Sequence, residues 1–260
     1  MKLKTVLRQV KRPFRRLWKW VLVGPPCFGL FPAVRQRLNV QQQEKRNLKL
    51  WDGWRFVPVN GRLVSFLHVP KNAGSSVRQA LLSLGFETLV PGEAFNNNRL
   101  IVTHYNIDWL IQSGLFTRAD FETGYSFAFV RDPLHRAVSG FKYYQEKQFI
   151  PANWTFERYL RYVKRERPVV GGAKVARLSH AAPQVRWLKP IHWSGPSEVF
   201  STASMTEAEG RLSEVLGQTI SFPHLNKSAS ATVHPTQREI ELVHEIYYED
   251  YLFLKSDVAI

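Results

Sequence analysis

The sequence predicts an α/β fold with a central, mostly parallel sheet flanked by helices in three layers. Three observations carry this. Short apolar, strand-like runs alternate with helical patterns from residue 62 to the C-terminus. Two of those runs pass directly into helices through turns rich in cationic and hydroxyl side chains. A hydrophobic content of 44% over 260 residues is enough for a large core. Strands alternating with helices imply parallel pairing, and such sheets bind ligands at the carboxyl ends of their strands.

The chain divides into a basic amphipathic arm, residues 1–49, and a domain, residues 50–260. The arm holds 13 basic side chains and one acid, Glu44, whereas the rest holds 23 basic and 20 acidic side chains, so most of the formal +15 sits in the arm. Val6, Leu7, Val10, Phe14, Leu17 and Trp18 fall at helical spacing among eight basic residues, with a kink expected at Pro13. The apolar stretch Trp20 to Val34 is 15 residues long and broken by Gly24, Pro25, Pro26, Gly29 and Pro32. A bilayer-spanning helix needs about 20 uninterrupted apolar residues, so the stretch is a poor span, and peripheral contact with an anionic membrane is one use open to the arm, with Trp18, Trp20, Phe28 and Phe31 as anchors. A disordered tail docking on the domain is the plainer alternative. A nearly neutral domain disfavours duplex DNA as a partner, and no nucleic acid is expected.

In the domain, Arg62 to His68 reads as a buried strand leading into a helix from Gly74 to Leu84. Leu100 to Thr103 is a second strand and Ser126 to Val130 a third, followed by a helix opened by Asp132 as cap and Pro133 in its first turn. Glu198 to Ser201 is a fourth strand. Thr206 with Glu209, and Thr236 with Glu239, are capping-box signatures for the last two helices, the final one striped by Ile240, Val243, Ile246 and Tyr247.

A single cysteine, Cys27, excludes an intramolecular disulfide and a cysteine-rich zinc site, and the eight histidines form no HxxxH or HxH pair, so no metal is expected.

The segment from His68 to Ser76 (HVPKNAGSS) sets Lys71, Gly74, Ser75 and Ser76 where a strand becomes a helix, the place where free N–H groups and the positive dipole end meet. That is a phosphate or sulfate cradle, although an ordinary turn with a snorkelling lysine has the same composition. It differs from the nucleotide-triphosphatase loop, in which the lysine follows the second glycine. The second turn, Phe127 to Ser139, presents Arg131 at a strand end and places Arg136 and Ser139 three apart on the new helix. These suit a second anionic group, unless Arg131 is paired with Asp132.

These segments closely resemble the nucleotide motifs of sulfotransferases that use 3′-phosphoadenosine 5′-phosphosulfate (PAPS), roughly HxPKxxGTS and FVRDPxxRxxSxY. Here Ala73, Ser75 and Phe141 replace the frequent glycine, threonine and tyrosine. His180-Ala-Ala-Pro-Gln184 resembles the HxxPQ element of the carbohydrate-directed branch, found in Golgi-type and bacterial members, and Leu225-Asn-Lys-Ser228 its loop near the nucleotide. Ile246 to Tyr251 is similar to the closing helix, so the likeness extends from about Leu63 to the C-terminus.

The resemblance implies a P-loop-like fold and transfer of a sulfuryl group from PAPS to a hydroxyl of a carbohydrate or glycolipid, without a metal. It implies that Lys71, Asn72, Ala73, Gly74, Ser75 and Ser76 hold the 5′-phosphosulfate, that Arg131 and Ser139 hold the 3′-phosphate, and that Asn226, Lys227 and Ser228 close over the nucleotide. Lys71 follows charge on the leaving oxygen. His104, after the second strand, is the expected base, with His68, His180, Glu93 and Asp108 as rivals. His180 and Gln184 orient substrate or brace the pocket. Trp109, Trp154, Trp187 and Trp193 offer faces for sugar rings or simply fill the core. The alternative in another class is a non-catalytic cradle that binds an anionic partner. The arm and the lack of a disulfide framework point to a cytoplasmic protein peripheral to a membrane, with the Golgi lumen, where eukaryotic relatives sit, as the alternative.

Overall fold

The computed structural model describes residues 62–89, 98–105, 107–112, 114–168, 170, 178–188, 195–223 and 233–256. The N-terminal arm, Glu93, Trp193, Asn226, Lys227 and Ser228 lie outside these residues.

Five strands form one parallel sheet: β1 (Val64–His68), β2 (Glu87–Thr88), β3 (Arg99–Thr103), β4 (Tyr125–Val130) and β5 (Glu198–Ser201), in the order β2-β3-β1-β4-β5. Parallel strands covered on both faces read as continuous apolar runs, and every residue of β4 is buried.

Alternation along the strands sorts their side chains between two cores. On one face Phe66, Ile101, Phe127 and Phe129 meet Val77 and Leu81 of α1 (Gly74–Ser83) and Leu212 and Leu216 of α7 (Met205–Leu216). On the other, Leu67, Val102, Ala128 and Val130 meet α2 (Ile107–Gln112), α3 (Arg118–Glu122), α6 (Val185–Leu188) and α9 (Tyr248–Ser256) through Leu110, Phe121, Leu188 and Phe253. The three expected layers are these. A further cluster outside the sandwich is built by α4 (Pro133–Glu146), α5 (Phe156–Glu166) and α8 (Gln237–Ile246) around Tyr144, Tyr159 and Tyr247. Phe141 packs inside it against Phe156 and Tyr159.

Helix starts follow the sequence in two of three cases. Asp132 caps α4 by accepting from the His135 N–H at 2.9 Å, and Thr236 with Glu239 forms the capping box of α8. At α7 the expected box is absent: Ser204 precedes the helix, Thr206 lies inside it, and the Glu209 carboxylate instead accepts from the Phe222 N–H. The single closing helix expected from the stripe is two, broken at Tyr247. Among the described residues no helix is long and apolar enough to cross a membrane.

Candidate functional site

Because β3 and β4 flank β1 in parallel, with His68 level with Thr103 and Leu67 with Ala128, the turns after all three strands open at one edge. Lys71, His104 and Arg131 sit on these turns, Lys71 and Arg131 within the two motifs and His104 after β3.

The turn after β1 is held in an unusual backbone. Lys71 and Ala73 have φ values of 70° and 58°, left-handed conformations that cost a residue with a Cβ about 1 kcal/mol or more. Ala73 is the cap of α1 and has no side-chain acceptor to offer the first N–H groups of the helix, whereas its carbonyl accepts from Ser76 and Val77. A helix start of this kind leaves donors and a positive dipole end for an anion, beside the exposed Ser75 and half-buried Ser76.

Gly74 also makes room for a neighbouring side chain. A Cβ there would lie 1.8 Å from His68 Nε2, so the missing side chain is the space that the His68 imidazole occupies.

Asn72 points inward rather than toward a ligand. Its buried amide donates to the Phe129 carbonyl at 2.7 Å and to Gln184 Oε1 at 2.9 Å. Gln184 in turn accepts from the Arg131 N–H at 3.1 Å and donates to the Arg131 carbonyl at 2.7 Å. One buried amide side chain thus clamps the second anion turn to the first. The clamp is itself anchored, since the buried Asp250 accepts from the Gln184 and Val185 N–H groups at 3.0 and 2.9 Å. Burial holds the Asp250 carboxyl above the usual range.

Arg136 belongs to the same brace. Its buried guanidinium donates to the carbonyls of Pro70 at 3.2 Å and His180 at 3.1 Å, so it ties the loop to the HxxPQ segment instead of facing a ligand with Ser139. Arg131 is the ligand-ready guanidinium of this turn. It is half-buried, and among the described residues it makes no ion pair, its neighbour Asp132 being engaged in the cap of α4. Burial lowers its pKa, opposed by Asp132.

Lys71 places its Nζ 4.4 Å from the centre of the Tyr143 ring. Burial pulls its pKa down to about 8, Glu146 opposing and Arg131, Arg136 and Lys147 adding to the fall. Ser139 and Tyr143, four apart on α4, share that face of the helix.

Three histidines converge beside the lysine. The His104 ring lies 4.7 Å from His68 and 4.6 Å from His180, and Tyr143 packs 5.2 Å from His180. His104 also has a left-handed backbone, φ 59°. His68 and His180 are both pushed down to about 3, by burial first and then by the neighbouring imidazole of His104. Among the described residues no group of three or more His, Cys, Asp or Glu side chains is placed to hold a metal ion.

Of the tryptophans, Trp109 and Trp187 are core residues, and Trp154 lies half-buried under Arg158 at 4.9 Å, so none of the three offers an open face at the histidines. Asp108 is buried in α2. Tyr143 is the member of the site that the sequence reading missed; its position four residues after Ser139 is the signal that could have found it.

Comparison with known proteins bears on this arrangement. A model described as the sulfotransferase family matches residues 55–190, more than half of the chain. No curated protein matches. Among solved structures, mouse sulfotransferase SULT7A1 complexed with PAP is similar at 14% identity, with a TM-score of 0.44 over 85% of this chain and 74% of that one. The family match runs from ahead of β1 to just past α6 and so takes in both anion turns and the glutamine that joins them; the chain belongs to the sulfotransferase family.

Proposed function

We propose that this protein transfers a sulfuryl group from PAPS to a hydroxyl of a carbohydrate or glycolipid acceptor. One observation carries the donor: two half-buried cations, Lys71 and Arg131, stand on separate turns that Gln184 and Asn72 lock at a fixed relation. That fits a ligand with two separated anionic groups. The carbohydrate class is supported by the HxxPQ resemblance at His180 to Gln184.

PAPS, when bound, supplies the sulfuryl group on a phosphate leaving group. The N–H groups at the start of α1, with Ser75 and Ser76, bind the phosphosulfate end, and Arg131 and Ser139 bind the 3′-phosphate. Asn226, Lys227 and Ser228 close over the nucleotide in this reading. Lys71, charged below about pH 8, neutralises negative charge as the leaving oxygen gains it. His104 takes the acceptor proton. His68 and His180, with values about 3, are poor bases at neutral pH, and they surround His104 without competing for its role.

The test is turnover of sulfur-labelled PAPS against a panel of carbohydrate and glycolipid acceptors, with binding of 3′,5′-adenosine bisphosphate measured alongside. Lys71→Ala is expected to cost about 3 kcal/mol of barrier, on the order of a hundredfold in rate. His104→Ala is expected to lower kcat by about 10²–10⁴-fold while sparing nucleotide affinity. Nucleotide binding without turnover on any acceptor would favour the non-catalytic cradle. For the arm we propose peripheral contact of a cytoplasmic protein with an anionic membrane, supported by its charge and by Trp18, Trp20, Phe28 and Phe31.

A further inference from the structure

We propose that Tyr143 is a positioning residue for the loop lysine: its ring face holds the Lys71 ammonium beside the histidine cluster. Three placements support this. The ammonium lies over the ring at 4.4 Å. The same ring packs 5.2 Å from His180, which lies 4.6 Å from His104, so one side chain sets the lysine relative to the imidazoles. Tyr143 is itself fixed by α4, the helix that also carries Ser139, and therefore refers the lysine to the second anion turn.

The charges around Lys71 leave the ring a real task. Arg131 and Arg136 repel the ammonium, and His68 and His180 lie close enough to feel it. Glu146, the acid that attracts it from α4, is shared with Lys147 at 3.1 Å. Among the described residues Lys71 makes no ion pair, and the negative face of the Tyr143 ring offers it a favourable surface at 4.4 Å. The catalytic consequence rests on the sulfotransferase reading, whereas the placement does not.

The experiment therefore has two arms. In the resting protein, trace acetylation of Lys71 is followed across roughly pH 6–10 by peptide mass spectrometry, to find the midpoint of its titration. The wild-type midpoint is expected at about 8. Tyr143→p-cyanophenylalanine keeps the ring's shape and packing but drains its negative face. It should lower the midpoint by about half a pH unit, because a cation held less favourably loses its proton sooner. Tyr143→Phe, which keeps that face, should keep the midpoint. In turnover of labelled PAPS, the alkaline limb of kcat/KM should move down with the midpoint in the cyano variant. An unchanged midpoint in the cyano variant overturns the placement, as does an equal fall in Tyr143→Phe. A shifted midpoint with no wild-type turnover leaves the placement standing and refutes the sulfotransferase reading instead.

Discussion

Replacing Gln184 with leucine tests the brace that joins the two anion turns. The side chain is fully buried and makes three hydrogen bonds, two to the backbone of Arg131 and one from Asn72. Leucine is close to it in size, so the change removes hydrogen bonds rather than opening a large cavity. Asn72 keeps its bond to the Phe129 carbonyl, but the Arg131 N–H and carbonyl lose the partner that clamps them. A buried group left without its partner costs about 1–3 kcal/mol, so the two together cost about 2–6 kcal/mol. Against a total stability of about 5–15 kcal/mol, the variant folds but melts early. Urea denaturation read by tryptophan fluorescence measures the first effect. Calorimetric titration with 3′,5′-adenosine bisphosphate measures the second, an affinity loss of about tenfold or more as the turns lose their fixed relation. A folded variant within about 0.5 kcal/mol of wild type, the range of an inert surface substitution, would refute the clamp.

Gly74→Ala should destabilise the protein by about 1–3 kcal/mol, because the new methyl meets the His68 imidazole. Combining it with His68→Ala should return part of that loss, and simple additivity in the double-mutant cycle would count against the contact. Acidification tests the buried imidazoles: His68 and His180 have folded-state values below the ordinary 6.5, so their contribution to stability is complete above pH 6.5 and is withdrawn as pH falls toward about 3. Each can cost up to about 1.4 kcal/mol per pH unit in that window, and a urea midpoint unchanged between pH 7 and pH 5 would be the contrary result. Arg131→Ala should weaken donor binding by about 2–3 kcal/mol, and much less for a donor lacking its 3′-phosphate; equal losses for both donors would remove Arg131 from that phosphate.

Four of the five strands were legible because each depends on local chemistry; β2, two half-buried residues at the sheet edge, has no apolar run to show it. A buried parallel strand reads as an apolar run, and Asp132 with Pro133 opens α4 by cap and first-turn chemistry contained within four residues. Direction was less legible. Asn72 and Arg136 stand inside motifs of anion-binding type, yet both turn inward, since the carbonyls that claim them belong to Phe129, Pro70 and His180. Gly74 illustrates the same limit: its spacing marks close approach, but only the folded chain shows that the approaching group is an imidazole from the preceding strand. The α7 capping box failed because the helix begins before Thr206, which leaves that residue inside it, while Glu209 accepts from a distant backbone N–H, that of Phe222. Contacts between residues far apart in sequence leave no periodic trace.

The brace also dictates when the site can be finished during synthesis. Strand β1 pairs on both sides with strands made later, β3 and β4, and its loop is clamped by Gln184, which in turn hangs from Asp250. Such long-range pairings form slowly. A nascent chain with the whole sheet already emerged from the ribosome still has the Gln184 and Val185 N–H groups without their acceptor until α9 follows. A nucleotide that binds the completed turns therefore stabilises chains in which α9 has docked over chains in which it has not, and so draws the last step of folding forward.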